Sequence, residues 1–196
     1  RSEPGQEVAS LSPAWWEQLA RIEFCVSKDA MRGGWCGVLW SGSGSLYATD
    51  GMRLARVTPP AAVLALPPRG ESVVIPDHFL SRIGAERARV TSASVEGRTT
   101  LWVFFDGGSA YGQMLEGDFP DCEAVISASR SQSERGGTWV SIPAVAALAI
   151  VFDRLLSFAD AANCTVRVEV SEGAVCVSTS SERGEVRETL PASVRG

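Results

Sequence analysis

Apolar and polar positions along this chain fall into one arrangement that recurs three times. In residues 7–22 (EVASLSPAWWEQLARI), 72–83 (SVVIPDHFLSRI) and 138–156 (TWVSIPAVAALAIVFDRLL), a short β-prone run leads to Pro13, Pro76 or Pro143. An apolar-periodic helix follows each proline. Proline suits a first helical position, where its missing N–H would have no intrahelical partner. Ser12 is placed to cap the first helix, and Gly84 to stop the second. In the third copy Val145, Leu148, Phe152 and Leu155 form one core-facing stripe.

Strand-like stretches follow every helix. The first copy offers residues 35–40, 46–49 and 53–57, with the turn SGSGS at 41–45. The second offers 88–92, 100–105 and 109–115, broken at Gly97 and at Gly107-Gly108. The third offers 164–170, 174–179 and 185–190. In its first strand Cys164, Val166, Val168 and Val170 alternate with Thr165, Arg167 and Glu169, which predicts one buried face. The repeat is therefore βαβββ, and the fold class α+β, with helices packed on antiparallel sheets. The polar stretch 127–137 (SASRSQSERGG) reads as a linker between the second and third copies.

Composition narrows the classes. The 196 residues are 45% hydrophobic and 21% charged, which suits a chain with a substantial core. The longest apolar run, 144–152, is about half of what a bilayer requires, so no spanning helix is expected. The start, RSEPG, lacks the apolar segment of a signal peptide, and the chain does not begin with Met. A formal charge of −5 excludes a uniformly basic nucleic-acid binder but not a local basic face. Five cysteines without CxxC spacing predict reduced, mostly buried thiols in a cytoplasmic protein rather than a zinc or redox site.

Catalytic patterns are not legible. His78 is the single histidine, and neither a Gly-x-Ser-x-Gly elbow nor a Walker A loop occurs. Asp118 and Asp121 flank Phe119-Pro120 as a turn would. Trp15 and Trp16 read as a core residue and its rim. The expectation is a non-catalytic protein with no metal and no cofactor. A concave site converging on His78 and carboxylates would instead indicate an enzyme.

Two strings within the repeat carry a resemblance. Residues 48–55, ATDGMRLA, resemble the ATDGHRLA signature in the middle domain of the bacterial DNA polymerase III beta subunit, the sliding clamp. Residues 117–126, GDFPDCEAVI, resemble that domain's closing motif, G-x-FPDYxxVIP. Their order, and the strand-Pro-helix between them, also match. By this resemblance residues 1–126 look like a clamp middle domain of two βαβββ repeats, 127–137 like a linker, and 138–196 like the first half of the clamp's third domain. The family's ring surrounds duplex DNA, is not an enzyme, and tethers polymerases and repair proteins through short peptides. The resemblance thus implies a non-catalytic processivity clamp of replication or repair that docks partner peptides.

The peptide pocket transfers position by position. Thr49, Gly51, Met52, Arg53 and Leu54 match the signature, Pro120, Ala124 and Val125 match the closing motif, and Trp35 falls near the pocket leucine. Departures are Met52 for His, Cys122 for Tyr, Ala124 for Arg and Ser127 for Pro. The family's first domain and the second half of its third have no counterpart in these residues. The DNA-facing candidates are Arg21, Lys28, Arg82 and Arg154, yet the three helix regions sum to no net charge. Weak binding of double-stranded DNA is therefore expected, and a clamp-fold interaction module that does not encircle DNA is the alternative. A third repeat without an intrachain partner predicts a homo-oligomer.

Overall fold

A computed structural model of the chain describes residues 6–59, 72–80, 88–95, 98–159 and 165–195. They form two compact units, Arg1–Cys122 and Glu123–Gly196. Gly84 and Arg82 lie outside the described residues.

The first unit holds two βαβββ repeats. The first consists of β1 (Gln6–Leu11), α1 (Pro13–Ala20), β2 (Gly37–Trp40), β3 (Leu46–Thr49) and β4 (Leu54–Val57). The second consists of β5 (Val73–Pro76), α2 (Asp77–Leu80), β6 (Ala88–Val95), β7 (Arg98–Phe105) and β8 (Gly108–Gln113). The two repeats exchange their leading strands. β1 pairs antiparallel with β6, giving a sheet ordered β1-β6-β7-β8, while β5 pairs with β2, giving β4-β3-β2-β5. Each strand that precedes a helix thus satisfies its backbone groups on the other repeat's sheet.

One core serves both repeats. Trp15 and Leu19 from α1 pack with Val38 and Trp40 of β2, Ile75 of β5, Val90 of β6 and Leu101 and Val103 of β7. Trp15 is fully buried and meets Trp16 and Trp40 edge-on at 4.9 and 5.6 Å, with Trp16 at the core margin.

Local chemistry moved several expected boundaries. α1 starts at Pro13 as expected, but the Ser12 hydroxyl makes no capping bond; its carbonyl accepts from the Trp15 N–H at 3.0 Å. Residues 35 and 36, expected as strand, belong to a 3-10 segment (Ala30–Cys36) whose N-terminus Asp29 caps by accepting from the Met31 N–H. Leu115, expected at the end of a strand, leaves β8 and donates its N–H to the Val74 carbonyl at 2.9 Å. The stretch 127–137, expected as an irregular linker, is helical as far as Glu134 within α3 (Cys122–Glu134). No glycine or proline interrupts it until Gly136, where the left-handed φ of 157° and a Gly137 N–H to Ser133 carbonyl bond end the helix.

The second unit carries the third repeat: β9 (Trp139–Ser141), α4 (Val145–Phe158), β10 (Arg167–Ser171), β11 (Ala174–Ser181) and β12 (Gly184–Pro191), then β13 (Ser193–Arg195). Its sheets are ordered β10-β11-β12 and β13-β9. Val151 and Leu155 of α4 pack on Val175 and Val177 of β11, with Leu148, Phe152 and Val166 at the margin. The buried face expected on the first strand is not buried: Val168 and Val170 are 54% and 44% exposed. Alternation shows that one face is apolar, not what covers it, and the buried alternating strand is β11.

The exchange of leading strands sets a stringent requirement at Gly37. A Cβ there would lie 2.4 Å from the Ile75 carbonyl oxygen, a backbone atom that moves only if β5 moves. Gly37→Ala should therefore destabilise the first unit by about 1–3 kcal/mol, the usual cost of overpacking, measured by urea denaturation followed through tryptophan emission.

Candidate partner-docking site

The turn between β3 and β4 is fixed by its own side chains. The Asp50 carboxylate accepts from the Met52 and Arg53 N–H groups, each at 3.0 Å, and pairs with the Arg53 guanidinium at 2.9 Å. The buried Thr49 hydroxyl accepts from the Gly51 N–H at 3.1 Å and donates to the Arg53 carbonyl at 2.8 Å. Gly51 takes φ 88°, which an L side chain rarely adopts. The two backbone donors first, then the Arg53 side chain, hold the Asp50 carboxyl below the ordinary aspartate range. Thr49 and Gly51 thus build the turn, and Met52, 95% exposed, is its outward face.

A second segment leans on this turn. The Arg32 guanidinium donates to the Asp50 carbonyl at 2.6 Å and stacks 5.3 Å over the Trp35 ring. Trp35 donates its indole N–H to the Asp118 carbonyl at 3.2 Å. Gly34 lies close to the Gly117 and Asp118 carbonyls, so the closing motif's Gly-Asp packs backbone to backbone against the segment that carries Trp35. On the turn's other side the Arg53 guanidinium lies 5.3 Å from the ring centre of the exposed Phe24.

Trp35, Thr49, Gly51, Arg53 and the residues just before Pro120 are thereby brought into one neighbourhood. Leu54 is half-buried at the start of β4, where it pairs with Thr49. Pro120 is half-buried, and its carbonyl accepts from the Cys122 thiol at 3.4 Å. Ala124 and Val125 stand exposed on the first turn of α3, within the second compact unit. An open cavity of about 420 Å³ in the first unit is lined by Leu39, Val73, Val74, Met114, Leu115 and Phe119, and by none of the expected pocket residues. Asp50 was legible as an Asx turn in the string Asp-Gly. Arg32 gave no signal, because its contact spans eighteen positions with no local pattern.

The DNA-facing candidates are differently placed. Arg21 is exposed at the end of α1. Lys28 pairs with Asp77 at 2.7 Å, and Arg154 with Glu188 at 2.5 Å. Burial, and then the Asp77 carboxylate, push Glu23 up from the usual carboxylate range against the pull of Lys28. Lys28 therefore answers to two carboxylates. His78 is exposed on α2, and among the described residues no three His, Cys, Asp or Glu side chains cluster as metal ligands. Cys25 and Cys122 are buried, and Cys36 and Cys176 half-buried, all as free thiols; burial raises Cys25.

No protein-family model and no curated protein matches the sequence. Solved structures do. The DNA polymerase III subunit beta sliding clamp from Bartonella birtlesii, bound to griselimycin, aligns over 100% of this chain and 54% of its own, with TM-score 0.75 and 18% identity. The DNA polymerase III subunit beta of Pseudomonas aeruginosa aligns over 100% and 53%, with TM-score 0.75 and 20% identity. A putative DNA polymerase III beta subunit from Eubacterium rectale gives TM-score 0.76 at 15% identity, over 100% and 52%. The chain has the sliding-clamp fold and spans about half the length of the clamps it matches.

Two outcomes follow from the turn. A Cβ on Gly51 would lie 2.6 Å from the Arg32 guanidinium and 2.8 Å from the Trp35 ring, on a backbone already left-handed. Gly51→Ala should lower stability by about 1–2 kcal/mol from backbone strain alone, and Trp35→Ala should relieve only the ring's part of the additional clash, as a double-mutant cycle would measure. Because the Asp50 value is depressed on folding, its contribution is full above the ordinary aspartate range. That contribution is lost as pH falls through the lowered value, and the Met52 and Arg53 amide resonances should report the loss.

Proposed function

We propose that this chain is a clamp-like, non-catalytic docking subunit of DNA replication or repair, holding partner peptides against the surface formed by Trp35, Gly51, Met52, Arg53 and Leu54. One observation carries the reading: over its whole length the chain follows the fold of polymerase clamps, and the signature turn is held rigid with Met52 and Phe24 facing solvent. A rigid apolar and aromatic surface with an adjoining guanidinium suits capture of a short hydrophobic peptide, since little ordering is required on binding. Arg32, locked between Trp35 and the Asp50 carbonyl, is a positioning residue for that surface.

A second reading, that the module does not encircle DNA, is favoured by the charge pairing. Lys28 and Arg154 spend their charge on Asp77 and Glu188 rather than presenting it to phosphates. The exposed residues of α4 include Ile150, Leu156 and Asp153. Such a face attracts a polyanion poorly.

Two measurements separate these readings. Leu54→Asp should weaken capture of a synthetic clamp-binding peptide by at least about tenfold in fluorescence anisotropy, because closing the site would desolvate an unpaired charge. Met52→Glu, at a fully solvated position, tests the same surface without touching the core. Unchanged affinity in both folded variants would sink the docking site. For linear duplex DNA, the plot of log affinity against log salt should have a slope reflecting fewer than about four neutralised phosphates at roughly 0.9 each. Tight binding with a steep slope would restore the encircling clamp.

A further inference from the structure

The chain has three methionines, and they fall into two classes. Met114 is 6% exposed and belongs to the core of the first compact unit. Met52 and Met31 are 95% and 92% exposed, the most open of the large apolar side chains among the described residues. Both stand in the neighbourhood of the signature turn. Met52 is the outward residue of that turn, with its backbone N–H held by the Asp50 carboxylate at 3.0 Å. Met31 lies in the 3-10 segment, with its N–H on the Asp29 carboxylate at 3.0 Å. The next residue, Arg32, reaches the Asp50 carbonyl and covers Trp35. Backbone bonds therefore fix where both side chains emerge, and neither thioether belongs to a buried core.

Exposure decides which sulfur an oxidant meets. With hydrogen peroxide the O–O bond breaks, an S–O bond forms, and the sulfur is oxidised by two electrons. The departing oxygen takes the remaining proton and leaves as water. The product is a polar, chiral sulfoxide on the same unbranched side chain. At Met114 the packed core keeps the oxidant out. At Met52 and Met31 the sulfur is open to solvent, and adding an oxygen disturbs no core contact. The change falls on the outer surface, where the new acceptor must be desolvated when an apolar partner closes over it.

We propose that Met52, together with Met31, is a reversible peroxide-modification site that weakens peptide docking when it is converted to the sulfoxide. The inference rests on the docking reading and adds a regulation to it. The turn is shaped by Asp50, Thr49 and Gly51, none of which carries an oxidisable sulfur, so the modified surface keeps its form and loses its apolar character. A methionine that shaped the turn would couple oxidation to unfolding; a displayed one confines the effect to binding. Methionine sulfoxide reductases, one for each epimer, return the thioether.

The full chain is treated with dilute hydrogen peroxide, then with a thiol reductant that restores oxidised cysteines, and mapped by mass spectrometry. One oxygen on each of the Met31 and Met52 peptides should appear before any on the Met114 peptide; equal uptake by all three in the folded chain overturns the site. The treated chain should capture a synthetic clamp-binding peptide at least about threefold more weakly in fluorescence anisotropy. Its circular dichroism spectrum should be unchanged, and the two reductases should restore the affinity. Saturating peptide should slow oxygen uptake at Met52, and an unchanged rate overturns the placement. A chain with Met52→Leu and Met31→Leu should show the same affinity before and after peroxide, whatever its starting value; a loss there too overturns the assignment to methionine. A native chain whose affinity survives oxidation overturns the regulation and leaves the docking reading standing. An untreated native chain that captures no peptide overturns the docking reading and the regulation with it.

Discussion

In the first unit each βαβββ repeat begins with a strand that pairs in the other repeat's sheet. β1 pairs with β6 and β5 with β2, and the two repeats become one body. Everything else in the first unit rests on that exchange. Neither α1 nor a single sheet supplies the core that holds the buried Trp15, since β2, β5, β6 and β7 all contribute residues to it. The same requirement puts glycine at position 37, because the donated strand approaches closer than any side chain permits. Backbone hydrogen bonds are the obligatory part of this arrangement; the apolar core makes it favourable.

The turn between β3 and β4 inherits its rigidity from the same source. β3 and β4 are central and outer strands of a sheet anchored by β5, so the turn between them has fixed ends. Within it, Asp50, Thr49 and Gly51 satisfy one another, which leaves Met52 with no structural duty and full exposure. Trp35 and Arg32 arrive from the 3-10 segment, held against the closing motif by the contact of Gly34 with Gly117. The motif residues therefore divide into those that shape the turn and those it displays.

Much of this was legible in the residues. The prolines at 13, 76 and 143 marked three helix starts because proline is rarely tolerated deeper in a helix. The glycine pair at 107–108 marked a hairpin between two strands. What patterning could not supply was the identity of the neighbour. Val166, Val168 and Val170 alternate cleanly, yet only Val166 touches the core, because cover comes from another strand and not from the strand itself. The polar run at 127–134 was misread since serine is nearly neutral in helices, and the absence of breakers outweighed it. Arg32 belonged to no motif; its role arises from a contact formed only after folding.

Fold and surface charge answer to different constraints, which is why one can persist where the other has changed. The clamp fold is specified by buried apolar positions and exchanged strands, and identities of 15 to 20% suffice to keep it. Exposed ion pairs such as Lys28–Asp77 are worth about 0–1 kcal/mol, so they form and vanish with little effect on the fold. Their effect on a polyanion is larger, because each paired cation both withdraws a positive charge and adds a negative one beside it. Attraction of a polyanion needs a summed field, and carboxylates stand next to both Lys28 and Arg154. The features that fix the architecture therefore leave the electrostatics free to vary. The local field around each exposed cation of this chain is decided by which carboxylates stand beside it, and not by the fold that carries them.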